Sequence, residues 1–145
     1  MRFTSERVST AWDELVVLAW AHHTEYGAPW RFDPRREVYD AQEAAGMLRL
    51  FTARDGGGKL NGYAVFTVVR HPHLDCLMAV QDTIYVIPAY RGFTAAKFML
   101  WTDAELEKEW GIQQVIRFVP RGTDPGLARM GYTPGDHVFT RKLRG

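Results

Sequence analysis

The sequence predicts an α/β domain in which a mixed, mostly antiparallel sheet carries helices on both faces. Two observations predict this class. Apolar residues recur at helical spacing up to about Leu48 and at extended spacing from there to about Pro88. After Pro88 a helical segment and a further extended segment follow, and a strand–helix–strand order makes its two strands parallel. Short turns join the earlier strands, so we expect those strands to be antiparallel.

The composition is that of an ordinary globular protein. Of 145 residues, 46% are hydrophobic and 24% are charged. The net charge of +1 argues against nucleic-acid binding through a general basic field. Cys76 is the only cysteine, which excludes an intrachain disulfide and fits a reducing cytoplasm. No stretch reaches the roughly 20 apolar residues of a membrane span. We therefore expect one cytoplasmic domain, residues 1–145, with neither a nucleic-acid nor a membrane partner.

The chain begins with two predicted helices. Ser9 or Thr10 is suited to cap the first, which ends at "HHTEYGAPW". The second is expected from about Pro34 to Leu48. The predicted apolar face of the first helix consists of Trp12, Leu15, Val16, Ala19 and Trp20. The predicted buried side of the second consists of Val38, Ala41, Ala45 and Leu48.

Three strands follow, "LRLFTARD", "GYAVFTVVR" and "LMAVQDTIYVIP", separated by loops of turn residues. A third helix is expected from about Thr94 to Trp110, with Gly111 as its C-terminal stop. Its predicted apolar face consists of Ala95, Phe98, Met99, Thr102 and Leu106. The remainder reads as a fourth strand "IQQVIRFVP", a short helical turn "GLARMGY" and a last strand "HVFTRKL".

The segment "HPHLDC" contains potential metal ligands, His71, His73, Asp75 and Cys76. Their spacing matches no strong zinc pattern, and the segment is typical of a hairpin turn. We predict no metal site.

The stretch "VIPAYRGFTAAKFML" joins the third strand to the third helix. A helix N-terminus after a strand presents free backbone N–H groups that stabilise an anion. Gly92, Ala95 and Ala96 are small enough for a phosphate to approach the backbone, and Arg91 adds a positive charge. From these residues alone, a plain turn remains the alternative.

"VIPAYRGFTAA" also resembles motif A of the GNAT superfamily of N-acyltransferases. Val86, Pro88, Arg91, Gly92 and Ala96 match that pattern. The order of elements resembles the GNAT order along almost the whole chain, and "RMGYTPGDHVFTRKL" resembles the family's ending. The variant loop, with Thr94 in place of a glycine, is similar to that of small phage-encoded and related bacterial members. The resemblance implies a GNAT-like fold.

The resemblance also implies a donor and a reaction. Acetyl-CoA is the expected donor, with its pantetheine arm paired to the strand backbone at Ile84, Tyr85 and Val86. Its pyrophosphate is expected on the loop formed by Arg91, Gly92, Phe93, Thr94, Ala95 and Ala96. An amine of a small molecule or a protein is expected to enter over the N-terminal helices and attack the thioester carbonyl. A homodimer is possible, since dimers are common in the family.

Two positions depart from the family pattern. Thr94 narrows the loop, although its hydroxyl could cap the helix or bind a phosphate oxygen. Leu127 occupies the position of a tyrosine that, in many members, protonates the leaving CoA thiolate. This departure leaves no evident general acid and favours an alternative, a GNAT-fold module that binds CoA or a partner with little turnover. A different donor, or modification of a nucleobase, is a third possibility.

Five residues are candidates for the acceptor side. Asp82 is the candidate base, because an acceptor ammonium must lose a proton before it attacks. The alternative for Asp82 is a surface carboxylate at a strand entrance. In the connection between the first two helices, His22, His23, Glu25 and Trp30 are candidates for acceptor recognition. Their alternatives are a packing tryptophan and solvated side chains at a helix end.

Overall fold

The computed structural model describes residues 1–119, Gly122 and residues 124–144. Its elements in chain order are β1 (Arg2–Glu6), α1 (Val8–Tyr26), α2 (Arg36–Ala44), β2 (Leu48–Arg54), β3 (Leu60–Arg70), β4 (Leu77–Val86), a 3-10 turn (Pro88–Tyr90), α3 (Phe93–Trp110), β5 (Gln114–Ile116) and α4 (Asp124–Arg129). None of these helices has both the length and the apolarity that a membrane crossing requires.

The five strands form one sheet in the order β1-β2-β3-β4-β5. The first four pair antiparallel with their neighbours, and β5 pairs parallel with β4 after the chain crosses over through α3. The predicted mixed sheet with one parallel crossover is therefore confirmed. β4 is long because it pairs along nearly its whole length with β3, whereas its pairing with β5 covers only Met78 to Val80.

Each face of the sheet carries its own apolar core, as helices on both faces require. Alternate residues of β2 and β3 point to opposite faces because the side-chain period of a strand is two. The core under α1 consists of Val8, Ala11, Leu15, Leu18, Leu48, Leu50, Leu60, Tyr63, Val65 and Tyr85, with Tyr39 of α2 packed against it. The core under α3 consists of Phe51, Ala53, Ala64, Phe66, Ala79, Val86, Phe98, Leu106 and Ile112.

The start of the chain differs from the prediction. Arg2–Glu6 forms an edge strand that the short, polar segment did not indicate. As a result α1 begins directly after it at Val8, and neither Ser9 nor Thr10 caps the helix. The Val8 amide instead donates to Oε2 of Glu43 at 2.9 Å, a carboxylate supplied by α2. A cap from a distant helix cannot be recognised from local sequence.

The helical faces are only partly as predicted. In α1, Leu15 is buried, but Trp20 is exposed. The second helix ends at Ala44 instead of Leu48, and Val38, Ala41 and Ala45 are exposed. The next residue, Tyr39, packs against the core in place of Val38. Its ring meets Trp12 edge-on, with ring centroids 5.7 Å apart. The expected buried side of the second helix was therefore wrong, apart from Leu48, which lies in β2.

The C-terminal strands are shorter than predicted. β5 comprises only Gln114–Ile116, and the predicted strand extends to Pro120, which lies outside the described residues. The predicted last strand at 137–143 has no regular structure. Its apolar residues Val138, Phe139 and Leu143 are exposed. These side chains therefore gain no hydrophobic stabilisation that would favour a strand here. The short helical turn is confirmed as α4.

A buried arginine lies where β4 and β5 separate. The last paired residues are Val80 and Ile116, and the next residues, Gln81 and Arg117, are joined through side chains. The Arg117 side chain is only 3% exposed. Its remaining hydrogen-bond acceptors are Asp103 Oδ1, Thr102 Oγ1 and the Met99 carbonyl on α3, and the Tyr132 hydroxyl. The guanidinium therefore replaces the backbone ladder at this point and fixes the strands to α3.

Replacing Arg117 with leucine is expected to destabilise the protein by about 2–4 kcal/mol, because it leaves polar partners without their buried cation. Urea unfolding followed by circular dichroism measures this loss. The matched control is Arg70→Leu, since Arg70 forms an exposed ion pair with Asp75. That variant should change the free energy of unfolding by no more than about 0.5 kcal/mol. Equal losses in both variants would contradict a structural role for Arg117.

Candidate functional site

Beyond Val80, one edge of β4 is free of strand pairing in the described chain. The register with β5 stops at Val80, while the register with β3 continues to Val86. The Val86 carbonyl accepts a hydrogen bond from Arg91 Nε at 2.9 Å. The predicted pantetheine residues Ile84, Tyr85 and Val86 lie on this free stretch. An extended ligand with amide groups can therefore pair with β4 here as a further strand would.

The N-terminus of α3 lies directly after this stretch. Gly92 precedes the helix with φ 84° and ψ −120°, a conformation essentially restricted to glycine. The first helical hydrogen bond runs from Ala96 N–H to the Gly92 carbonyl at 2.9 Å. The amides of residues 93–95 therefore lack helical partners, and no side chain caps the helix. Together with the helix dipole, these amides form a site suited to an anion.

The positions of Thr94 and Arg91 bear on two expectations about this loop. Thr94 was considered as a helix cap, but the helix begins at Phe93, so Thr94 is its second residue. Arg91 was expected to add a positive charge to a loop that binds the anion mainly through backbone amides, and its guanidinium already has a carboxylate partner. It forms a bidentate ion pair with Glu25 at the end of α1, with N–O distances of 2.5 and 2.7 Å. The anion site of the loop therefore depends on backbone amides.

Glu25 connects α1 to the β4 end. Besides the Arg91 pair, its Oε2 accepts a hydrogen bond from the Tyr85 hydroxyl at 3.0 Å. The Arg91 hydrogen bonds are the main cause that lowers the pKa of Glu25, followed by the Tyr85 hydrogen bond. Arg91 also lies over the Tyr85 ring, 5.3 Å from its centroid. Glu25 was predicted to recognise the acceptor; its position indicates that it also orients Arg91 and Tyr85.

A β-bulge in β4 positions Asp82. Val65 pairs with Thr83 and Phe66 pairs with Gln81, which leaves Asp82 without a partner on β3. Asp82 is exposed, and its Oδ2 accepts a hydrogen bond from Thr67 Oγ1 at 2.7 Å. The bulge allows two consecutive side chains, Asp82 and Thr83, to face the α1 side of the sheet. The predicted base thus lies at the point where β4 leaves β5.

His22 of α1 lies over the same stretch of β4. Its Nδ1 is 3.0 Å from the Tyr63 hydroxyl and 3.2 Å from Thr83 Oγ1. Its ring stacks on Tyr85, with centroids 4.8 Å apart and an interplanar angle of 22°. Burial is the main cause that lowers the pKa of His22. The neutral imidazole is therefore the favoured form beside the bulge.

His23 and Trp30 lie apart from this cluster. His23 stacks on Trp20 and packs against Phe32, and its Nε2 lies 2.8 Å from the Trp30 carbonyl oxygen. Trp30 is 56% exposed, with Lys142 Nζ 4.8 Å from the centre of its ring. The predicted acceptor segment is therefore divided: His22 and Glu25 face β4, whereas His23 and Trp30 form a surface aromatic group.

On the α1 side of the sheet, hydroxyl-bearing side chains lie around His22 and Asp82, and we call this surface the polar face. Sequence reasoning missed four of its residues: Tyr63 and Thr67 of β3, Thr83 of β4 and Tyr39 of α2. The sequence offered an indication of the two β3 residues. Tyr63 and Thr67 lie two positions before and after Val65, so all three side chains point to the same face of an otherwise apolar strand. Burial raises the pKa of Tyr63 to about 12. Tyr39 of α2 also belongs to this face: its pKa is raised mainly by burial and secondarily by the charge of Asp82. The face is thus a row of hydroxyls around one histidine and one carboxylate.

Leu127 lies half-buried in α4, and its hydrocarbon side chain has no proton to give to a thiolate. The nearest tyrosine along the chain, Tyr132, has its hydroxyl bonded to Asp103 and Arg117. Burial is the first cause that raises the pKa of Tyr132 to about 12. In the residues that the structure describes, no three acidic, histidine or cysteine side chains lie together as metal ligands.

The electrostatic account of His22 is testable by NMR titration. We expect its pKa below the ordinary value of about 6.5, so the stability it contributes is present above that pH and declines as the pH falls. Glu25→Gln should lower the His22 pKa further, because the Glu25 charge raises it. Arg91→Ala should raise it, because the Arg91 charge lowers it. Titration of His22 above 6.5 in the parent protein would contradict this account.

No protein-family model and no curated protein sequence matches the chain. Solved structures do match it over nearly its whole length. A predicted acetyltransferase from Clostridium acetobutylicum, solved with acetyl-CoA, is 16% identical with a TM-score of 0.77, covering 98% of this chain and 96% of that one. A ribosomal-protein-alanine N-acetyltransferase from Brucella melitensis biovar Abortus 2308 is 18% identical with a TM-score of 0.71, covering both chains completely.

A third similar structure is an aminoglycoside acetyltransferase from an uncultured soil metagenomic sample. It is 13% identical with a TM-score of 0.76, over 99% of this chain and 96% of that one. The three likenesses extend over nearly the whole chain. The chain therefore has the fold of the GNAT acetyltransferases.

Proposed function

We propose that the chain is an acetyl-CoA-dependent N-acetyltransferase that acts on an amine. The observation that carries this proposal is that two backbone surfaces meet, one without a strand partner and the other without a helix cap. The free edge of β4 ends at Val86, and the uncapped N-terminus of α3 begins at Phe93. One ligand that combines amide groups with a pyrophosphate uses both surfaces, and CoA is such a ligand.

The residues present fit this ligand. A Cβ built at Gly92 meets no atom within 4 Å, so the space next to the loop is open. Ala95 and Ala96 keep the first turn of α3 small. The amides of Phe93, Thr94 and Ala95 would hold the pyrophosphate, and the backbone of Ile84 and Val86 would hold the pantetheine arm. Bound acetyl-CoA supplies the thioester that an amine attacks.

The acceptor side is proposed to be the polar face under α1 and α2. An approaching ammonium group meets the exposed Asp82 carboxylate there, which offers an attractive charge. Thr67 and Thr83 offer hydroxyls that accept hydrogen bonds. The similar structures include an aminoglycoside acetyltransferase and a ribosomal-protein-alanine N-acetyltransferase. That aminoglycoside acetyltransferase has also been solved in complex with sisomicin. An acceptor panel should therefore contain both sisomicin and a peptide that begins with alanine.

The second candidate is a CoA- or partner-binding module with little turnover. It is favoured by Leu127, which offers no proton to the thiolate, and by the engagement of Tyr132 with Asp103. Release of free thiol from acetyl-CoA across the acceptor panel separates the two candidates. Turnover with any amine supports the transferase. Tight CoA binding without turnover on any acceptor supports the module.

Gly92→Val is expected to weaken CoA binding at least tenfold, because a branched side chain disfavours φ 84° and fills the space beside the amides. Arg91→Ala should have the smaller effect, since Arg91 already pairs with Glu25. Thr94→Gly should bind CoA equally or more tightly, with a small loss of stability from added chain entropy. Calorimetric titration with CoA measures all three variants.

The matched control is Gly111→Val at the other end of the same helix. Gly111 also has a positive φ, 63°, and a Cβ there meets no atom within 4 Å. This variant also places a valine at a positive φ, with less backbone strain because φ 63° and ψ 30° lie in the left-handed helical region. It should bind CoA like the parent protein. Circular dichroism establishes that each variant is folded. A folded Gly92→Val protein with the parent's affinity would show that the stretch is only a turn.

A further inference from the structure

We propose that His22 is the general base of the reaction and that it takes the acceptor's proton through the hydroxyl of Thr83. This inference rests on the proposed function and assigns its proton-transfer step. An amine that enters as an ammonium ion cannot attack until it loses a proton. The geometry around His22 provides a place for that proton beside the free edge of β4.

Two hydroxyl groups surround the unprotonated nitrogen of the His22 ring. Nδ1 of His22 lies within reach of two hydroxyls, those of Tyr63 and Thr83. A neutral imidazole with Nε2 protonated has one lone pair at Nδ1, which accepts from one of these two hydroxyls at a time. Tyr63 is only 3% exposed, so its hydroxyl holds the ring without meeting a substrate. Thr83 is half-buried and lies on the stretch of β4 that has a free edge. Its hydroxyl is therefore the one of the two that a substrate bound along this edge can reach.

The place of Thr83 along β4 brings its hydroxyl close to both proposed substrates. Thr83 directly follows the bulge residue Asp82 and directly precedes Ile84, the first residue of the proposed pantetheine stretch. The bulge turns Thr83 to the face that carries α1. An amine bound against Asp82 therefore lies next to the Thr83 hydroxyl and next to the proposed thioester position. His22 itself reaches β4 twice, through its hydrogen bond with Thr83 and through the stacking of its ring on Tyr85.

The charged and titratable groups around His22 decide which form of its ring is favoured. The groups that face His22 are Glu25, His23 and Tyr26 of α1, Tyr63 of β3, Tyr85 of β4 and Arg91 of the loop. Glu25 and Arg91 form an ion pair and act on the His22 pKa in opposite directions, with the Glu25 effect the larger. Burial keeps the ring neutral before the reaction, and the nearby Glu25 carboxylate favours the imidazolium after it. His22 is thus ready to accept a proton at neutral pH.

The proton steps balance. The ammonium group gives one proton to Thr83 Oγ1 while the Thr83 hydroxyl gives its own to His22 Nδ1, which leaves a neutral amine, an unchanged threonine and an imidazolium. The amine nitrogen forms a bond to the thioester carbonyl carbon, and the carbon–sulfur bond then breaks. The second nitrogen proton leaves with the thiolate as the CoA thiol. His22 finally releases its proton to solvent.

The test is the pH dependence of kcat/KM for acetyl transfer to sisomicin and, in parallel, to an alanine-initiated peptide. In the parent protein the rate should rise with pH through an ionisation below about 6.5. His22→Gln should lower kcat/KM by roughly a hundredfold or more and remove that ionisation. Thr83→Val, which keeps the shape, should do the same, whereas Thr83→Ser should retain most of the activity and the ionisation.

The matched control is His73→Gln, the same substitution at an exposed histidine of the β3–β4 turn, which should leave the pH profile unchanged. CoA binding by calorimetry should equal the parent's in every variant. Parent turnover with the ionisation intact in His22→Gln would overturn this inference alone. Loss of the ionisation in Asp82→Asn but not in His22→Gln would also overturn it. Absence of turnover in a parent protein that binds CoA would overturn the transferase proposal as well.

Discussion

The separation of β4 from β5 is the constraint on which the rest of the site depends. Two parallel strands ordinarily continue their hydrogen-bond ladder, but here the ladder stops at Val80 and Ile116. At this point the buried Arg117 guanidinium forms hydrogen bonds where backbone hydrogen bonds between the strands would otherwise continue. It binds the side chain of Gln81, Asp103 of α3 and the Tyr132 hydroxyl. Its partners thus lie on β4, on α3 and in the segment after α4, and the guanidinium occupies the place where the two strands separate. The backbone of β4 beyond Val80 is left available for a ligand.

Beyond Val80, the two faces of the sheet at β4 present different groups to a ligand. On the α3 side, the strand leads to Gly92 and to the uncapped amides of the helix, which present positive backbone potential. On the α1 side, the bulge at Asp82 presents side chains instead, Asp82 and Thr83 to the groove and to His22. The Glu25–Arg91 pair joins the two sides at the end of the strand. It directs the only cation of the loop away from the amides.

The features that the sequence predicted are those that short segments encode. The strand–helix–strand crossover and the loop at Arg91 and Gly92 follow from local periodicity and turn residues. The missed features need partners far apart in the chain: Arg91 and Glu25 are 66 positions apart, and the Val8 amide meets Glu43 35 positions away. The bulge at Asp82 was not predictable either, because it shifts register relative to β3 without a glycine or proline to mark it.

The central claim is that one ligand uses both the free edge of β4 and the N-terminus of α3. Backbone amide NMR during a titration with CoA tests it most directly. The account predicts that the largest shifts occur at Ile84, Val86 and the amides of residues 92–96, with little change in β1 and β2. Shifts that leave residues 84–96 unaffected, or no saturable shift at all, would contradict the account.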